Sequence, residues 1–202
     1  ENRETYFEEH DSKYRRSIVT NVYSQPIDLF DMHLYPGSAA RLHMLRRVLG
    51  EEAWWEVITL FLKEHRDSVV ETVDFARCIE EVTGDNYDWF FDQWYYGQGY
   101  PEFNFSWWQT SDSLFIAAEQ KGSSPATPFF RTSLDLGLVL ENGRDSILRV
   151  DYDSPAKTIQ IALSQPVLDI VPDPANWIVD LSQVVRRAAT NAYLSVHPNP
   201  FN

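Results

Sequence analysis

The sequence predicts an α+β protein of two domains, a helical one followed by an antiparallel β-sandwich. Three observations predict it. Apolar residues recur with helical period up to Tyr100, the period changes to two from Pro101, and the later apolar runs are short and separated by turn signals. The predicted boundaries are 1–100 for the helical domain, 101–182 for the sandwich and 183–202 for a linker or tail.

The helices follow from local signals. The opening "ENRETYFEEHDSKYRR" reads as a charged helix, and "SIVTNVYSQPIDLFD" as a loop. In "HLYPGSAARLHMLRRVLG", residues 33–50, Pro36 and Gly37 predict a sharp turn and Ser38 a cap. Leu42, Leu45 and Leu49 then mark an apolar stripe. The following "GEEAWWEVITLFLKEHR" places Trp54, Ile58, Phe61, Leu62 and His65 on one face. Its acids lead and its bases trail, as the helix dipole favours. In "ETVDFARCIEEVTG" Thr72 is the expected N-cap, Phe75, Cys78, Ile79 and Val82 the buried stripe, and Gly84 the stop. A last helix starts near Asp85 or Asn86 and ends by Gly97 and Gly99.

Beyond Pro101 the strands alternate. "EFNFSW" sets Phe103, Phe105 and Trp107 on one side, and "LFIAA" does the same with Leu114, Ile116 and Ala118. "TSLDLGLVL" carries Leu134, Leu136, Leu138 and Leu140, and Asn142-Gly143 marks a hairpin turn. "ILRVDY", "TIQIAL", "PVLDIVP" and "NWIVDL" complete the set. Regular short strands of this kind read as a sandwich.

Composition excludes several classes. The chain has 202 residues, 44% hydrophobic and 14% aromatic, which is folded and not disordered. A formal charge of −13 opposes binding to phosphate backbones, so no nucleic-acid partner is expected. No apolar run reaches the length of about 18 residues that spans a bilayer, so no membrane partner is expected either. Cys78 is the single cysteine; it rules out an intrachain disulfide and is expected to be buried and inert. The charged opening is not a signal peptide and begins as though inside a helix, so a fragment is expected.

Catalytic signatures are sparse. His10, His33, His43, His65 and His197 form no His-Glu-x-x-His, and no pair shares a helix at i, i+4. No set of three metal ligands is therefore expected, and His43 and His65 read as helix-face residues. Gly-x-Ser-x-Gly and glycine-rich phosphate motifs are absent. One polar aromatic remains conspicuous: Tyr35 stands at the mouth of a helix, where a phenol is held away from the core. Taken by itself it reads as a staple between loop and helix.

The order of these features resembles a known family. A tyrosine before an amphipathic helix ending in Leu49-Gly50, then Trp54, then "VETVDF", then "TGDNYDWFFDQWYYGQGYPEF" opening β-structure, is similar to the zinc aminopeptidases of the aminopeptidase N (gluzincin) family. The resemblance covers residues 14 to about 105 by motif and the sandwich by architecture. It implies that the helical domain is the C-terminal lobe of a thermolysin-like catalytic domain. It also implies that Tyr35 is the catalytic tyrosine, whose phenol hydrogen-bonds the oxyanion of the tetrahedral intermediate. A phenol is neutral at pH 7 and suits that role. The family usually has Lys-Gly two and three residues after the tyrosine, where this chain has Gly37 and Ser38.

The resemblance further implies zinc and a peptide substrate in the intact parent, with the upstream half of the catalytic domain as partner. The zinc ligands would lie upstream, so this chain alone is expected to bind no zinc and to cleave nothing. The tail "AYLSVHPNPFN" is similar to the start of bacterial C-terminal sorting domains, which implies a secreted or periplasmic parent. Two other readings stand beside the enzyme. One makes the parent a non-catalytic scaffold or binding protein that keeps the peptidase fold. The other makes the sandwich a carbohydrate- or protein-binding module displaying Trp107, Trp108 and Trp177.

Overall fold

The computed structural model describes residues 2–12 and 15–187, and the side chains among them except those of residues 2, 12 and 183–187. The chain divides into two units. The helical unit contains Glu1–Tyr100, Gly122–Arg131 and Trp177–Val179; the β unit contains Pro101–Lys121, Thr132–Asn176 and Asp180–Asn202.

In the helical unit α1 (Asn2–Ser12) is followed by a 3₁₀ turn at Pro26–Leu29 and a π turn at His33–Gly37. The π turn runs without a break into α2 (Ser38–Leu49), and α3 (Glu51–Glu64), α4 (Thr72–Thr83) and α5 (Asp88–Trp94) follow. The expected chain break at Pro36-Gly37 is therefore absent, and Ser38 has helical φ/ψ (−68°, −42°) and does not cap. The buried stripe of α2 is Arg41, Met44 and Leu45, whereas Leu42 is exposed. On α3, Trp54 and Val57 are buried and Leu62 faces solvent. The cap of α4 is also one residue earlier than expected: Glu71 holds the N-cap, and its N–H donates to the Asp74 carboxylate at 2.8 Å. Gly84 closes α4 in the left-handed region (φ 74°) as its sequence position suggests.

The core of this unit is aromatic. Phe90, Phe91 and Trp94 of α5 are buried, and Trp94 packs on Phe130 at 4.7 Å. Trp177 stacks on His43 of α2 at 4.3 Å and 9°. The Val179 N–H donates to the Met44 sulfur at 3.2 Å. Gly122–Arg131 and Trp177–Val179 thus join the helices, which the strand-like period of their surroundings does not foretell.

The β unit holds two sheets. One has the order β5-β2-β1-β7, from β1 (Pro101–Gln109), β2 (Ser113–Gly122), β5 (Ala156–Ala162) and β7 (Leu181–Arg187). The other has the order β4-β3-β6, from β3 (Thr132–Leu140), β4 (Ser146–Tyr152) and β6 (Val167–Pro172). Tyr152 of the second sheet meets Phe103 of the first at 5.1 Å and Phe105 at 6.3 Å. That packing joins the inner faces, where Leu114, Ile116, Leu134, Leu136 and Leu138 are also buried.

Two details depart from expectation. The last strand is Leu181–Arg187 and not "NWIVDL", because Asp173 (φ 42°) and Asn176 (φ 54°) turn the chain there. Residues 183–187 therefore belong to a strand and not to a tail. That strand also runs parallel to β1, with a register shift between Asn104 and Phe105, so the first sheet is mixed. The "NPFN" end lies outside the described residues.

Candidate functional site around Tyr35

Tyr35 lies inside the π turn, and local hydrogen bonds build that turn. Asp31 acts as its cap: one carboxylate oxygen accepts from the N–H groups of His33 (3.0 Å) and Leu34 (2.9 Å). Arg16 holds the same carboxylate in a two-pronged pair, Nε to Oδ2 at 2.8 Å and a terminal nitrogen to Oδ1 at 2.6 Å. The Tyr35 N–H then reaches the Asp31 carbonyl at 3.2 Å. Pro36 has no N–H for the Met32 carbonyl, and Gly37 takes that carbonyl instead at 2.9 Å. Shifting the bond by one residue widens the turn from α to π.

Gly37 sits where a side chain would be crowded. A Cβ there would lie 3.1 Å from the Tyr6 ring, 3.2 Å from the Met32 carbonyl and 3.3 Å from Arg41. Arg41 is itself buried, donating to the carbonyls of Gly37 (3.1 Å) and Gly99 (2.9 Å) and to the Tyr6 hydroxyl (2.9 Å). Its guanidinium also lies over the Tyr6 ring at 4.5 Å.

Beneath the turn lies a polar core shared with α1. Glu9 accepts from the Met32 N–H at 2.6 Å. His33 meets Tyr6 edge-on at 5.3 Å and His10 at 5.9 Å. Burial pushes the His33 imidazole down to about 4, against the opposing pull of Asp31. Burial likewise lowers His10, whose Nδ1 is 3.0 Å from Asp11. Both rings are therefore neutral at pH 7.

Above this base Tyr35 is 57% exposed and its ring lies 5.9 Å from that of Phe30. The turn thus holds the phenol outward on a rigid base. The same stretch also exposes Val22, Tyr23, Ile27, Phe30 and Met32. A cleft of about 790 Å³ opens beside it, lined by Arg15, Arg16, Tyr23 and Gln98 among others, but not by Tyr35.

The remaining candidates separate. Trp107 is only 2% exposed inside the β unit, Trp177 belongs to the helical unit, and Trp108 lies flat on Phe115 at 5.1 Å. The expectation that no three metal-capable side chains converge also fails, because the donor atoms of Glu64, His65 and Cys78 all lie within 4.8 Å of one another. Asp31, Arg16 and Glu9 do not stand out in the sequence. An aspartate two and three residues before N–H groups in need of acceptors is the legible signal for the first; Arg16 and Glu9 reach the turn only through the fold.

Residues 1–94 match the Peptidase family M1 domain. The match takes in just under half of the chain. Aminopeptidase M1-C of Oryza sativa subsp. japonica is 31% identical over 78 residues, 39% of this chain and 9% of that protein. Among solved structures, aminopeptidase A of Legionella pneumophila, crystallised with aspartic acid, matches 84% of this chain with a TM-score of 0.67 at 18% identity. At that identity the likeness shows the fold alone. The chain spans 20% of that protein's length. Among the described residues no helix is long and apolar enough to cross a membrane.

Proposed function

We propose that this chain is part of a zinc metallo-aminopeptidase that hydrolyses N-terminal residues of peptides, with Tyr35 as the donor to the reacting carbonyl's oxyanion. The observation that carries the reading is the aim of Tyr35: an exposed phenol on a turn fixed by Asp31, Arg16 and Pro36. As the substrate carbonyl becomes tetrahedral, negative charge collects on its oxygen, and a donor already pointing at that place stabilises it without reorganising. The cap matters because a hydrogen bond of this kind loses its value when the donor wanders.

The catalytic zinc that the family implies does not fit the residues present. The 202 residues contain no His-Glu-x-x-His. The three donors that converge sit at the end of α3 and on α4, outside the Tyr35 turn. No step through that metal is assigned to this chain; its ligands and the peptide's amine site fall to the upstream half of the catalytic domain. A secreted or periplasmic bacterial parent is the accompanying proposal, supported by the "NPFN" resemblance alone.

The test is Tyr35→Phe in the full-length parent. Turnover is expected to fall by about 10²–10³-fold, with the melting temperature unchanged because Tyr35 is largely exposed. Unaltered turnover would remove Tyr35 from the mechanism. A parent whose upstream sequence lacks His-Glu-x-x-His would favour the scaffold reading.

A further inference from the structure

We infer that Glu64, His65 and Cys78 form a zinc-type site that clamps the C-terminal end of α3 to the middle of α4. The site is independent of the peptidase chemistry and concerns a metal other than the catalytic one.

The geometry comes from helix packing. Phe61 of α3 meets Phe75 of α4 edge-on at 5.1 Å, and Trp54 meets the same ring at 6.3 Å. These ring pairs fix the register between the two helices. Cys78 lies three residues after Phe75, on the same face, and its side chain points back into the seam with 2% exposure. His65 follows Phe61 by one turn; its N–H bonds the Phe61 carbonyl at 3.0 Å and its ring leans on Phe61 at 5.1 Å. Glu64 is exposed, so its carboxylate is free to swing. One thiol, one imidazole and one carboxylate therefore converge from two elements.

The donor chemistry selects the ion. Sulfur, nitrogen and oxygen at zinc lie about 2.0–2.3 Å from the metal, which puts tetrahedral donors about 3.3–3.8 Å apart. The present spread of up to 4.8 Å closes to that by roughly 1 Å of side-chain movement. A mixed thiolate and imidazole set favours Zn²⁺ or Co²⁺ over Mg²⁺ or Ca²⁺, which need oxygen ligands. The fourth position is left to water. As the metal–sulfur bond forms, the thiol proton leaves to solvent. Burial and the carboxylates of Glu64, Glu81 and Asp74 hold the free thiol protonated, and the same carboxylates attract a cation.

Co²⁺ added to the untagged chain is the direct test. The expected result is one Co²⁺ per chain with a thiolate-to-cobalt charge-transfer band, displaced by Zn²⁺ and untouched by excess Mg²⁺. Cys78→Ser should abolish the band, and His65→Ala and Glu64→Gln should each weaken Zn²⁺ binding by about tenfold or more. Should Cys78→Ser fail to fold, the two more exposed variants decide by Zn²⁺ affinity. No band with wild-type chain, a band that survives in Cys78→Ser, or Zn²⁺ affinity indifferent to both other variants would overturn the site. None of these outcomes bears on Tyr35.

Discussion

The helical unit encloses Glu9, His10, Asp31, His33 and Arg41, whereas the centre of the β unit is made of Phe103, Phe105, Leu114, Ile116, Leu134 and Leu136. The β unit also buries carboxylates, Asp135, Asp173 and Asp180, and pairs the first with Arg149 at 2.7 Å, but among the described residues it buries no imidazole or guanidinium. Stability of the β unit follows apolar area removed from water and the quality of packing, together with the partners of those carboxylates. Stability of the helical unit depends in addition on a buried guanidinium keeping its acceptors and on two imidazoles staying neutral. The polar core of the helical unit is also what supports the Tyr35 turn.

Arg41→Met is the most severe challenge to the helical unit. It leaves the Tyr6 hydroxyl and the Gly37 and Gly99 carbonyls without their buried donor, and should destabilise the unit by about 4 kcal/mol. Loss of hydrogen-exchange protection in α1 and α2 would register it; a neutral result would mean that the guanidinium is dispensable filler. In the β unit Leu136→Ala should cost about 3 kcal/mol through lost burial and a residual cavity, read from the exchange of β3 amides.

Acid distinguishes the two cores by a smaller margin. His33 titrates near 4 when folded and near its ordinary value of 6.5 when unfolded. Its contribution is thus fully present above about pH 6.5 and is lost as pH falls toward 4, because the unfolded chain takes up the proton first. Between pH 7 and pH 5 the helical unit should lose about 2 kcal/mol from this group, with His10 acting in the same direction. Chemical denaturation followed at both pH values checks it; a flat response would place a charged imidazole in the core.

Much of this architecture is legible in the sequence because period and punctuation agree. Residues 103–118 alternate as a half-buried strand pair must, and Gly84 stops α4 where a left-handed residue is needed. Tyr35 is legible as a position but not as a geometry. Pro36 and Gly37 usually announce a break, and here they sit inside a helix because a bond shifted by one residue tolerates the missing N–H. The place of β7 is not legible, since "NWIVDL" has the apolar content of a strand while Asp173 and Asn176 bend the chain before it. Cys78 reads as inert because a lone cysteine says nothing of neighbours from another helix. The convergence with Glu64 and His65 exists only after α3 and α4 pack.

The pyrrolidine ring of Pro36 has one more consequence. Were the preceding turn to rewind into ordinary α geometry, the azimuth of the phenol about the helix axis would change, and the ring would oppose that winding by about 3 kcal/mol. An open-chain residue at this position would convert a single bearing into a choice between two, and the hydroxyl would spend part of its time facing the wrong quarter.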